Sequence, residues 1–173
     1  GGTFDGNVAM AGTLGVTGNA TFSGDIIKST SGTSNFAAGV NAGNSIASGG
    51  NYNTVVGDEA GTALTTGDNN VAIGFQALFT EDANGDNVAI GYQSLKTLNA
   101  GTDAFNTAVG YFSGTSLNTG TQNTIIGAEA GSSLTTGQRN EIIGYQAGDA
   151  LVGGQQNVAI GRVALSGDTE GQR

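Results

Sequence analysis

The chain has 173 residues, 32 of them glycine, with 37% hydrophobic, 6% aromatic and 11% charged residues, which is too rich in small residues for a deep globular core and too regularly apolar for a disordered tail. It contains no cysteine or histidine, which removes disulfides, zinc sites of the Cys/His type and imidazole-based catalysis together. A formal charge of −9, with only Lys28, Lys96, Arg139, Arg162 and Arg173 as basic residues, argues against a nucleic-acid partner, because counterion release needs clustered Lys and Arg.

The first predicted elements lie in residues 1–34. Gly6, Gly12, Gly18 and Gly24 are six apart, and Val8/Met10, Leu14/Val16, Ala20/Phe22 and Ile26 alternate between them, so each hexad reads as a short strand with one apolar face and a glycine bend. Six extended residues span about 20 Å, one side of a triangular coil. Four hexads make little more than one turn in a single chain, whereas three chains giving one side each bury the apolar face. The expectation is an intertwined trimeric β segment.

From residue 35 to 173 the unit lengthens. Asparagine followed four residues later by glycine recurs at Asn35, Asn53, Asn70, Asn87, Asn106, Asn123, Asn140 and Asn157, in steps of 18, 17, 17, 19, 17, 17 and 17 residues. A fixed period means one small unit stacked along an axis. Counted from each Asn, positions +2 and +3 are apolar throughout, from Ala37/Ala38 and Val55/Val56 to Ile125/Ile126 and Ala159/Ile160. Successive strand residues point to opposite faces, so this strand is expected to be buried on both, one inside its coil and one against something outside it. Position +1, which admits Phe36, Thr54 and Glu141, is read as nearer solvent. Position +7 is always Ala or Ser, and Leu or Ile follows at +11 (Ile46, Leu64, Leu117, Leu134, Leu151) or +8 (Leu78, Leu95, Leu165). Each unit is expected to be a strand, a tight turn, a second short strand and a return turn. The fold class is therefore all-β, a fibrous homotrimer of stacked repeats. The alternative is a single-chain β-helix, which would show three hexads per coil.

Asn70-Val-Ala-Ile-Gly74, Asn87-Val-Ala-Ile-Gly91 and Asn157-Val-Ala-Ile-Gly161, with the variants Asn106-Thr-Ala-Val-Gly110 and Asn123-Thr-Ile-Ile-Gly127, resemble the Asn-Ser-Val-Ala-Ile-Gly head repeats of trimeric autotransporter adhesins. The unit of about 17 residues, and the hexads Gly12-Thr-Leu-Gly-Val-Thr-Gly-Asn-Ala-Thr-Phe-Ser-Gly24, look more like the versions found in phage tail fibres and virion proteins. The resemblance implies a trimer of left-handed parallel β-rolls. It also implies a structural shaft that presents a host-recognition tip, on the virion or an extracellular surface. The alternative is the adhesive head of a cell-surface protein that binds a host glycan or protein receptor. The next Asn would be due at 174, so the repeat is expected to continue. Neither a signal peptide nor membrane insertion is expected, since no basic segment precedes an apolar stretch and no 18-residue apolar run exists.

Asp82-Ala-Asn-Gly-Asp86 opens like a calcium loop, with Asp82, Asn84 and Asp86 as alternate oxygen ligands. It departs from that pattern at Asn87, where glycine is required, and at Gln93, where the bidentate Glu would stand, so a solvated acidic turn is the competing reading. Phe75, Tyr92, Tyr111 and Tyr145, all at +5, would form a column in stacked coils, either offering rings to sugars or packing only against one another. No catalytic constellation is found: serines have no histidine partner, and no glycine-rich phosphate loop ends in Lys. No enzyme activity, cofactor or catalytic residue is expected.

Overall fold

The computed structural model describes residues 30–171, so all but the last five positions of the predicted hexad segment lie outside the described residues. Within them the chain is an all-β solenoid, and no helix is present among the described residues. Eight three-residue strands form one parallel sheet in chain order: β1 Phe36–Ala38, β2 Thr54–Val56, β3 Val71–Ile73, β4 Val88–Ile90, β5 Thr107–Val109, β6 Thr124–Ile126, β7 Glu141–Ile143 and β8 Val158–Ile160. Each strand pairs with the equivalent strand of the next coil, residue for residue: Val55 opposes Ala72, Ala108 opposes Ile125, and Ile142 opposes Ala159. The register is therefore the sequence period itself, even where the step is 18 or 19 residues.

The central strand residue, at +2, points into the coil and is buried in every repeat. There it meets the small +7 residue and the +11 residue, which form one continuous core with Leu64, Leu98, Leu117, Leu134 and Leu151. Alanine at +7 leaves room for a leucine from the opposite side of a narrow coil. Where serine takes its place, the hydroxyl is bonded inside the coil: Ser94 Oγ donates to the Ala108 carbonyl at 3.1 Å, and Ser113 Oγ to the Ile125 carbonyl at 2.8 Å.

The second short strand expected in each unit does not form. After the +4 glycine the backbone enters the left-handed region at +6, as at Gln76, Gln93, Glu129 and Gln146, and again at +8. Alternation with left-handed residues ends extended structure while leaving N–H and C=O groups free to bond between coils. They do so: Gln93 N–H donates to the Phe75 carbonyl and Glu129 N–H to the Tyr111 carbonyl. Outside the named strands a single bridge, Gln138 to Gln155, is all that remains of a second ladder among the described residues.

The asparagine column fixes the height of each coil. Its side chain is buried, and its Oδ1 accepts the backbone N–H of the next Asn, at 2.9 Å from Asn70 to Asn53 and 3.0 Å from Asn140 to Asn123. In most coils its Nδ2 donates to a return-turn carbonyl 14 or 15 residues on, Gly137 for Asn123 and Gly154 for Asn140, both at 2.8 Å, whereas Asn87 Nδ2, in the 19-residue coil, turns back to the Gly85 carbonyl at 2.9 Å. The residue just before each Asn, such as Gln122 (φ 60) or Arg139 (φ 57), is left-handed, which turns the chain sharply enough to aim the amide inward. At +4, a Cβ on Gly127 (φ 134) would overlap the backbone carbonyl of Gly144 in the next coil, so both the torsion and the close approach require glycine.

Replacing Asn123 with alanine leaves the Asn140 N–H and the Gly137 carbonyl buried without their partner, at about 1–3 kcal/mol for each group. The Asn123→Ala variant is expected to lose several degrees of Tm. The exposed substitution Thr119→Ala, four residues away, is expected to leave Tm within about a degree, and thermal melts followed by circular dichroism compare them.

Candidate functional site

The sheet has two faces, and one chain covers one of them. Residues +1 and +3 share the outer face: Val71 with Ile73, Val88 with Ile90, Thr107 with Val109, Thr124 with Ile126, Glu141 with Ile143. The expectation that +3 is buried while +1 lies near solvent is corrected in part, because alternate strand residues point the same way. Within the chain both positions are half-buried or exposed, with Ile126 at 37% exposure. The outer face is thus a ribbon of aliphatic side chains eight coils long, flanked by hydroxyls and one carboxylate.

The +5 aromatics do form a column. Phe75 stacks on Tyr92 with ring centroids 5.2 Å apart, and Tyr92 stacks on Tyr111 at 5.4 Å. Phe112, at +6, meets Tyr92 and Tyr111 edge-on. Tyr145 belongs to the same column but is separated from Tyr111 by the coil that carries Ala128, and Arg162 lies over the Tyr145 ring at 5.7 Å. The faces within the upper stack are therefore turned against one another along the axis.

In the acidic turn the side chains bond to different neighbours. Asp82 Oδ1 accepts the Ala83 N–H at 2.5 Å, Asn84 Nδ2 donates to Glu81 Oε1 at 2.8 Å, and Asp86 Oδ1 accepts from Asn69 Nδ2 at 3.3 Å. Among the described residues no group of three or more acidic side chains is placed to hold a metal ion. An open trough of about 500 Å³ runs along another side, lined by Thr80, Thr97, Ser116, Asn118, Thr135 and Thr136. Several of its hydroxyls are already engaged: Thr80 Oγ1 donates to the Lys96 carbonyl and Thr135 Oγ1 to the Val152 carbonyl.

Glu81 is the residue that sequence reasoning missed. It occupies the +11 position that is leucine in most other coils, and it is fully buried. Leu98, overlooked for the same reason, fills +11 in the following coil although Leu95 already stands at +8. Counting +8 and +11 as two independent slots would have exposed Glu81 as a carboxylate at a core address. Its Oε2 makes no hydrogen bond. Burial pushes its pKa above the ordinary carboxylate value, against the opposing pull of the Asn84 side chain and of nearby backbone groups at Ala100, Asn84 and Asp82.

Comparison of the chain with protein-family models, with curated proteins and with solved structures finds no match.

Because the folded-state pKa of Glu81 is raised, the folded chain holds that proton more tightly than the unfolded one. The associated stability is fully present below the unfolded carboxylate value and is lost as pH rises through the folded value. Wild-type Tm is therefore expected to fall from pH 4 to pH 7 relative to that of Glu81→Gln, which carries no titrating group there. Parallel Tm profiles for the two proteins would show that Glu81 is solvated.

Proposed function

We propose that the chain is a shaft segment of a homotrimeric phage tail fibre or similar virion appendage, a non-enzymatic spacer that holds a host-recognition tip away from the particle. The observation that carries this reading is the uncovered outer face. Parallel sheets are covered on both faces as a rule, and the ribbon from Val71/Ile73 to Val158/Ile160 is only half-buried or exposed in its own chain. Three copies packing these ribbons together supply the missing cover, and three-fold symmetry is also what the six-residue glycine spacing of the preceding sequence leads one to expect. The resemblance of the Asn-Val-Ala-Ile-Gly repeats to adhesin heads and tail-fibre repeats points the same way, with left-handed coils.

The mechanism is mechanical. Stacked coils give inter-strand hydrogen bonds along the whole axis, each coil touching its neighbours, so stiffness grows with coil number rather than from one deep core. The uniform register of all seven strand pairs suits a straight rod.

The isolated chain is expected to sediment at about three times 17.0 kDa. Two adjacent substitutions separate coil from assembly. Ile125→Asp buries a charge inside the coil and is expected to unfold it in any oligomeric state. Ile126→Asp changes only the outer face; it is expected to yield folded or partly folded monomers, and an unchanged trimer would exclude this face as the interface. For the spacer role, deleting one unit, residues 53–69, joins Tyr52 to Asn70 in register and removes about 4.8 Å of length. Host attachment by the parent fibre is expected to survive. Attachment lost while folding is preserved would favour the adhesive-head reading instead.

A further inference from the structure

We infer that the chain carries a lateral sugar-binding slot, formed where Ala128 interrupts the aromatic column between Tyr111 and Tyr145. The three residues occupy the same +5 position in consecutive coils, and the backbone keeps them in line. Glu129 N–H donates to the Tyr111 carbonyl at 2.7 Å, Gln146 N–H to the Ala128 carbonyl at 3.0 Å, and Val163 N–H to the Tyr145 carbonyl at 2.9 Å. Where the column is continuous, ring follows ring at 5.2–5.4 Å. At Ala128 one ring is missing.

The two flanking tyrosines are each covered on the side away from the gap, Tyr111 by Tyr92 and Tyr145 by the Arg162 guanidinium. Their other faces look toward the coil of Ala128, which carries no ring at this position. Both flanking rings stand partly open to solvent, Tyr111 at 50% and Tyr145 at 45% exposure.

Spacing selects the occupant. Two ring steps of the observed 5.2–5.4 Å put the flanking rings roughly 10–11 Å apart, and carbon–carbon contact on both sides takes up about 7–8 Å of it. The remainder suits a puckered ring with axial hydrogens better than a flat one. The aliphatic C–H faces of a pyranose complement the negative faces of both tyrosines. One residue along, Glu129 Oε2 and Gln146 Nε2 are bonded to each other at 2.8 Å and offer polar groups beside the gap for sugar hydroxyls. The Glu129 carboxylate, in a chain of net charge −9, favours neutral over anionic sugars. The slot belongs to a single chain and goes beyond the spacer reading. It lies outside the unit deleted in the spacer test, so the two readings fail separately.

The test is saturation-transfer NMR on the full chain, with methyl glucoside, methyl galactoside and N-acetylglucosamine as neutral probes and sialic acid as the anionic one. Transfer to the ring C–H protons of at least one neutral pyranoside is expected, weaker for sialic acid. Ala128→Tyr completes the column and is expected to keep or raise Tm while reducing binding at least tenfold. Tyr111→Ala is expected to lose binding similarly, and Tyr52→Ala, an exposed tyrosine outside the column, to leave it unchanged. Absence of transfer to every neutral probe at about 10 mM would overturn the slot. So would undiminished binding by folded Ala128→Tyr, or protection of Tyr111 and Tyr145 by a second copy of the chain.

Discussion

One buried primary amide, repeated at the same place in every coil, holds the register of the whole stack. From Asn35 to Asn140 the asparagine oxygen accepts the N–H of the asparagine in the next coil, and in all of these but Asn87 the nitrogen ties down the return turn of its own coil, so that neighbouring coils and the two ends of one coil are joined by a single side chain. In the later coils the amides also bond to each other, as Asn140 Nδ2 does to Asn123 Oδ1 at 2.9 Å. Buried polar groups stabilise a fold only when all their hydrogen-bonding capacity is used. Because the partners lie in different coils, a coil out of register loses them all at once.

Much else follows from that constraint. The left-handed residue before each Asn and the glycine at +4 bracket the strand, limit it to three residues and bring successive coils into backbone contact. A strand this short buries one side chain inside the coil, so the core is thin, made of one strand residue, one Ala or Ser and one Leu per turn. The chain cannot then bury its outer aliphatic positions, and the ribbon of +1 and +3 residues is the consequence. The same geometry that makes the stack periodic leaves its outer face half-buried or exposed along its length.

The period and the strand positions were legible because they repeat, and repetition averages away the ambiguity of any single three-residue strand; which of the two apolar positions, +2 or +3, enters the coil was not, because both carry core chemistry. What was not legible breaks the repeat. Glu81 stands where its neighbours have leucine, and a pattern reading passes over a lone exception. Ala128 is as inconspicuous as any of the other alanines until the column on either side of it is seen. The second strand was over-read because left-handed torsions at Gln76, Gln93 or Glu129 carry no signature comparable to glycine. The +3 position has the chemistry of a core residue, yet within one chain it lies half-buried or exposed on the outer face beside +1.

Hydrogen exchange measured by NMR tests the role of the amide column most directly. If the column sets the register, the backbone N–H groups of Asn70, Asn87, Asn106, Asn123 and Asn140 exchange only with global unfolding, at one common free energy, while the exposed turns at Gly101–Asp103 exchange far faster. Asparagine amides that exchange individually, at rates close to those of the exposed turns, would contradict the account and place the origin of the register in the leucine core instead.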